Sequence, residues 1–399
     1  MNSVATFFSN PTLVVDFQKL CGVQVLSNSS NDSIGNCTSD ESSSNYPKKR
    51  RHGNNPAKKL KSRQDDPSVI NYLITNRFLH ALFHAGAFLC NEGFYVIVFP
   101  FLLFNIDQCA FRQGCYYWCL VMYIGQAAKD IIKQPRPPSP PVARLESRYD
   151  TEYGMPSTHA MMGTAMPFAL FYSTYLRYEY PKWLGITIAC SWTILVCLSR
   201  LYLGMHDLWQ VIVGVLMTLP IVITGSLLMN DLDVWILSSP YSPVVILIVS
   251  IILVLLYPAP KDRWTSTRGD TTMILSGSVG ACIGLWLQCR TLGRLPEEGF
   301  QFPRPISIPT LDSIAMAILR WTFVIIIIVP LRAVMKSIIF TILPLILPKS
   351  EVEPSKRAAV ELPYRFINYG IIGFTVTYIS PLLMRYLGIY GDGPYGQIQ

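Results

Sequence analysis

Three short polar islands interrupt an otherwise oily stretch between Lys129 and Gln210. The first reads Lys129-Asp-Ile-Ile-Lys-Gln-Pro-Arg136-Pro137 and the second Met155-Pro156-Ser157-Thr158-His159. The third is Ser199-Arg200-Leu-Tyr-Leu-Gly-Met-His206, with Gln210 four residues further on. Lys129, Arg136 and Arg200 form a cationic set. Arginine's planar fork matches phosphate oxygens, and lysine adds a compact point charge. Pro156 to His159 reads as a helix start with Ser157 or Thr158 as N-cap, and free N–H groups there point at an anion. Three cations and a helix N-terminus neutralise a phosphoryl group without a metal, and the sequence lacks the carboxylate cluster of a two-metal phosphatase. Two histidines then divide the work: one attacks phosphorus, the other protonates the departing alkoxide. A single histidine at a helix end is more often a cap or an interfacial group. Two of them, each beside arginine or a helix start and on one face, favour the chemical reading.

Membrane-spanning helices must position these islands. Of the 399 residues, 51% are hydrophobic and only 15% charged, against about 25% charged in soluble domains. Apolar runs near the ~20 residues needed to cross a bilayer recur along the chain. They are continuous and do not alternate with period two, which argues against a transmembrane β-barrel. The expected fold is all-α, a polytopic membrane protein of about nine transmembrane helices. Spans are predicted near 78–104, 116–132, 158–175, 183–203, 207–229, 243–256, 272–287, 314–334 and 366–387. A short apolar segment at 338–347 is interrupted by Pro344. The expected organisation is a largely disordered, basic tail over 1–76, a catalytic core of five spans over 77–230, and C-terminal spans over 231–399. Island one follows the second span, island two opens the third, and island three joins the fourth to the fifth. Those connections lie on the same side of the membrane in either orientation, so the topology delivers all three islands to one face.

Other features read more plainly. The net charge is +8, much of it in the tail at Pro47-Lys-Lys-Arg-Arg51 and Lys58-Lys-Leu-Lys61. In a membrane chain these clusters report orientation and headgroup contact rather than nucleic-acid binding or nuclear import. The positive-inside rule puts tail and islands in the cytosol. Asn28, Asn31 and Asn36 are glycosylation sequons, and glycosylation there would overturn that orientation. His80 and His84 have the spacing of a metal pair, but no further ligand joins them, so packed histidines are expected. Glu92 inside a span calls for a partner or a lined cavity. The prolines from 135 to 141 form a stiff surface turn. Arg268-Gly-Asp270 is a chance tripeptide, and the ten cysteines read as small buried residues.

The spacing within the islands resembles the three signatures of the lipid phosphate phosphatase (type 2 phosphatidic acid phosphatase) superfamily. Within it the chain resembles the sphingosine 1-phosphate phosphatase family. The segments that carry this are Phe17-Gln-Lys-Leu-Cys-Gly-Val23, Val121-Met-Tyr-Ile-Gly-Gln126, Tyr153-Gly-Met-Pro-Ser-Thr-His-Ala-Met161, Leu195-Val-Cys-Leu-Ser-Arg-Leu-Tyr202, Arg268-Gly-Asp-Thr271 and Val360-Glu-Leu-Pro-Tyr-Arg365. Thr158, where the wider superfamily often has glycine, suits that branch. The resemblance spans nearly everything except the tail from about 26 to 66. It implies that superfamily's helical core, with His206 as a nucleophile forming a phosphohistidine and His159 as proton donor to the sphingoid leaving group. Lys129, Arg136, Ser157, Thr158 and Arg200 would hold the phosphate, in an endoplasmic reticulum membrane, with no metal or cofactor.

One position departs. The family has an aspartate four residues after the nucleophilic histidine; here it is Gln210, which shares a helix face with His206 but carries no charge. An analogous Asp-to-Asn change in a serine-protease triad costs about 10⁴-fold, largely through the wrong tautomer. The expectations are a slowed enzyme, or Asp207 substituting through a distorted helix start. A phosphatase for another lipid or isoprenoid phosphate, or a catalytically weak membrane scaffold, stay open. A transporter is disfavoured, because the ionisable residues gather at one face rather than at mid-span.

Overall fold

The computed structural model describes residues 2–25, 72–292, 302–306, 309–346 and 358–391. The basic clusters and the sequons of the tail lie outside the described residues. What is described of the tail is folded. Helices α1 (Asn2–Phe8) and α2 (Pro11–Leu20) lead into strand β1 (Val23–Val25), which pairs antiparallel with β2 (Tyr72–Ile74), Val25 opposite Tyr72. Asn10 caps α2, its side chain accepting from Thr12 N at 3.0 Å, and Pro11 opens the helix, where its missing N–H costs nothing. Gln18 of α2 is buried and anchors the segment to the core. Its Nε2 donates to Ala143 O (2.6 Å) and Tyr202 O (2.9 Å), and its Oε1 accepts from Ala143 N (3.0 Å). The ordered tail is thus part of the folded body rather than an appendage.

The single span predicted near 78–104 is broken. Helices α3 (Arg77–Phe88) and α4 (Glu92–Phe101), the latter continued by a π-helical turn Leu102–Ile106, meet at 69°. Asn91 takes an extended conformation that starts a new helix. His80 and His84 stack edge-on, ring centres 4.4 Å apart, and His80 Nδ1 meets Tyr202 OH at 3.1 Å. His80 thus ties α3 to the core, while His84 is exposed.

The core consists of α5 (Gln108–Ile132), α6 (Thr158–Tyr175), α7 (Lys182–Tyr202) and α8 (Leu208–Ser238). Helix α6 sits in the middle, packed on the other three. Its small and flexible residues Ala160, Met161, Met162, Gly163, Ala165 and Met166 are all buried. That suits a helix surrounded by neighbours. At the end of the bundle remote from the islands, Arg112 Nε bonds both oxygens of Asp233 (2.9 and 3.0 Å), and Tyr116 OH donates to Asp233 Oδ1 at 2.7 Å. Arg112 is about 25 Å along α5 from Lys129, at 1.5 Å per residue.

Helices α9 (Ser242–Leu255), α10 (Thr267–Leu292), α11 (Leu311–Ile346), α12 (Ala358–Phe374) and α13 (Ser380–Tyr386) complete the chain. Helices α10 and α12 touch backbone to backbone. A Cβ added at Gly280 would stand 1.9 Å from Gly370 O, so only glycine permits the approach. Asp270 of the Arg-Gly-Asp tripeptide is spent on Arg365. Helix α11 runs unbroken through Pro330 and Pro344, joining the span predicted to end near 334 and the short apolar segment after it in one helix. Membrane helices tolerate such prolines when neighbours re-satisfy the freed carbonyls. The nine cysteines described are free thiols.

Among the described residues, five helices are long and apolar enough to cross a membrane: α7, α8, α10, α11 and the α12–α13 stretch. The bent α3–α4 pair makes a sixth. That is fewer than the nine predicted. Helix α5 carries Arg112, Gln113, Gln126, Lys129 and Asp130 inward, all buried, which lowers its hydropathy without exposing charge to lipid.

Candidate active site

Each island sits where a core helix begins or ends. Helix α5 stops at Ile132, and Lys133, at φ +56°, closes it with an N–H to Lys129 O. The chain then turns through Pro135 and Arg136 beneath the start of α6. Ser157 is the N-cap of α6, its hydroxyl taking Ala160 N at 3.4 Å. Helix α7 ends beside Arg200, and Gly204 lets the chain reverse. Its φ is +68°, and a Cβ there would lie 2.3 Å from Ala143 O. His206 follows in the short connection, and Asp207 caps α8 by accepting Gln210 N at 2.8 Å.

The structure brings Lys129, Arg136, Thr158, His159, Arg200 and His206 around one small cavity. Arg136 is locked by carbonyls. Nε donates to Tyr149 O (3.1 Å) and Glu152 O (3.2 Å), and Nη1 donates to Met205 O (2.9 Å). Arg136 Nη1 also lies 3.2 Å from His206 Nε2. A guanidinium can only donate, so Nε2 accepts and holds a lone pair. On the other side of the ring Nδ1 meets Gln210 Oε1 at 3.0 Å, while Gln210 Nε2 donates to Pro135 O at 2.9 Å. Both contacts select one tautomer, protonated at Nδ1, with the Nε2 lone pair turned to Arg136 at the cavity wall. Burial first, then the charges of Arg136, Arg200 and Lys129, push the His206 pKa well below the usual histidine value, so the ring stays neutral.

Arg200 is fully buried. Its Nη2 donates to Glu146 Oε2 at 2.7 Å, while Nε and Nη1 have no partner among the described residues. Lys129 Nζ meets Glu152 Oε2 at 2.6 Å, and Arg136 Nη2 lies 3.8 Å from the same oxygen. His159 packs edge-on against Tyr149, ring centres 5.2 Å apart.

Two predicted residues stand outside the cavity wall. Ser157 spends its hydroxyl as a cap, and Gln210 lies behind His206. Gln210 is pressed close by Gly154, where a Cβ would come within 2.6 Å of the amide. The suggestion that Asp207 substitutes for the missing carboxylate is corrected. Asp207 is committed to capping α8, and burial pushes its pKa up to about 6. Glu152 and Glu146 were not anticipated. Charge balance is the signal that points to them, since three buried cations need counter-charges.

A family model for the PAP2 superfamily matches residues 112–232, the stretch that holds all three islands. Sphingosine-1-phosphate phosphatase 1 of Mus musculus is 39% identical over 324 residues, covering 79% of this chain and 74% of the mouse protein. The chain belongs to this family. Sphingosine-1-phosphate phosphatase 2 of Homo sapiens is 38% identical over 80% of this chain and 81% of its own length. A dihydrosphingosine 1-phosphate phosphatase of Schizosaccharomyces pombe is 24% identical over 78% of this chain and 85% of its own. No solved structure matches the chain significantly. The shared lengths run well beyond 112–232, into the helices that flank the core.

Proposed function

We propose that this protein is a metal-independent lipid phosphatase that hydrolyses sphingosine 1-phosphate and related phosphorylated sphingoid bases. The observation that carries this is the buried Arg200 guanidinium, two of whose nitrogens have no partner among the described residues, beside the cavity that His206 also lines. A phosphoryl group there would take Arg200, Arg136, Lys129 and the first N–H groups of α6, at Thr158 and His159. His206 Nε2 attacks phosphorus, and the bond to the sphingoid oxygen breaks as His159, protonated beside the dianionic substrate, gives that oxygen a proton. Water, deprotonated by His159, then attacks phosphorus, frees His206 and leaves inorganic phosphate. Gln210 Oε1 orients the ring and supports its charge by dipole alone. The relatives' names, which specify sphingoid-base phosphates, support the substrate class.

The inferred setting is a multi-pass arrangement in the endoplasmic reticulum. Nine crossings result if α5, α6 and α9 traverse as helices shielded by the rest. The neutral partner at Gln210 favours a second reading, a slow enzyme or phospholipid-binding scaffold. Phosphate release from sphingosine 1-phosphate by the purified protein, with His206→Ala as control, separates the two. Release abolished by the substitution supports the phosphatase, and equal release by both sinks it.

A further inference from the structure

A stripe on α5 runs from the candidate site into the apolar interior. Trp118, Met122, Gln126 and Lys129 all line the cavity that holds His159 and His206. Their spacing places them on one face of the helix, over about 16 Å at 1.5 Å per residue. The chemistry changes in one direction along it: a cation, then an amide, then a thioether and an indole. An amphiphile laid along this stripe meets a partner for its phosphate, then a hydrogen-bonding group, then an apolar wall.

The amide is the member that packing does not explain. Gln126 is only 3% exposed, and its Oε1 has no partner among the described residues. Such an acceptor is costly to bury unless a ligand donor fills it. Two carboxylates lie in the same cavity. Glu152 and Glu92 both line it, but Glu152 is engaged by Lys129, Arg136 and Ser266. Glu92, in the first turn of α4, is held by Arg148 (2.8 Å), whose side chain is 51% exposed. Glu92 is therefore the carboxylate that can take a cation from a ligand.

We propose that Glu92 and Gln126 read the amino-alcohol backbone of the lipid. Glu92 pairs with the ammonium, and Gln126 Oε1 accepts from the ammonium or a hydroxyl. Together they select sphingoid-base phosphates over phosphomonoesters without those donors. The amine of such a lipid is on the carbon next to the phosphoester carbon. Gln126 correspondingly sits three residues from Lys129, about 4.5 Å along the axis. This inference rests on the phosphatase reading above, since it needs the phosphate to occupy the histidine end of the cavity.

The test uses the purified full-length protein in mixed micelles with sphingosine 1-phosphate and hexadecyl phosphate, which has a phosphate and chain but no amine. The wild type is expected to prefer the amino lipid. The ratio of kcat/KM values should fall on the order of tenfold or more in Gln126→Met and in Glu92→Gln. Taking the ratio within each variant cancels losses of folded enzyme. A second measurement needs no variant: sphingosine should inhibit the wild type at least about tenfold better than hexadecanol. Equal inhibition, an unchanged ratio in the variants, or a wild type without preference overturns the inference alone. A wild type that hydrolyses neither lipid overturns the phosphatase reading and this inference with it.

Discussion

His206 Nδ1 is held by Gln210 Oε1 at 3.0 Å, so an amide occupies the place of a carboxylate behind the ring. The amide sets the tautomer as a carboxylate would, because its nitrogen is committed to Pro135 O. It offers only a dipole to the positive ring that forms on phosphorylation. Gln210→Asp is expected to raise kcat roughly tenfold, and Gln210→Leu to lower it by 10² or more, by loss of the tautomer. Turnover in micelles measures both, and an unchanged rate in the aspartate variant argues against the orienting role.

His159 should matter in proportion to the difficulty of the leaving group. His159→Ala is expected to slow release of a sphingoid alkoxide by about 10²–10⁴-fold. The deficit should be much smaller with an aryl phosphate, whose phenolate leaves unprotonated. Equal deficits for both esters would remove His159 from the role of proton donor.

The convergence of the islands is legible in the sequence because span parity alone brings 129–136, 155–159 and 199–206 to one face. Their neighbours are less legible, because their partners are remote in the chain. Glu152 meets Lys129 only after the loop folds back, and Gln18 reaches Ala143 and Tyr202 from the other end of the molecule. Helix α5 reads as apolar enough to span, yet its buried Arg112, Gln126 and Asp130 show it to be an inner helix. No periodicity foretells the 69° bend between α3 and α4, because that stretch is hydrophobic on both sides of Asn91.

Glu152 ties stability to pH. Burial works against its charge, but Lys129 and Arg136 outweigh it, with hydrogen bonds from Lys129 and Ser266, and the carboxyl is held below its ordinary 4.5. A depressed carboxyl contributes stability that is fully present above that value and is lost as pH falls through the depressed one. The unfolding midpoint of the wild type should fall as pH drops below about 4.5, and Glu152→Gln should lack this component. At pH 7 the same substitution is expected to cost about 3–5 kcal/mol, by leaving Lys129 buried without a counter-charge.

Gly154→Ala tests whether the grip on His206 tolerates a methyl group. The added carbon would press on the Gln210 amide within 2.6 Å. The expected result is a kcat lower by about tenfold or more, with KM little changed, since the phosphate-binding cations are untouched. A variant with normal kcat would show that the amide can shift freely.

Gln18→Ala removes three hydrogen bonds, two to Ala143 in the loop after Arg136 and one to Tyr202 at the end of α7. Leaving buried backbone groups of Ala143 and Tyr202 unpaired should cost about 1–3 kcal/mol for each. A lowered melting temperature and lower phosphatase activity are the expected readouts; unchanged values for both would show that the N-terminal segment only rests on the core.

Val25 and Tyr72 stand opposite each other where β1 meets β2, so two positions far apart in the sequence are held together at a single clasp. Closing a longer excursion there costs only about 0.6 kcal/mol for each doubling of its length. The length of chain that joins the two strands can therefore change at little cost to the clasp itself.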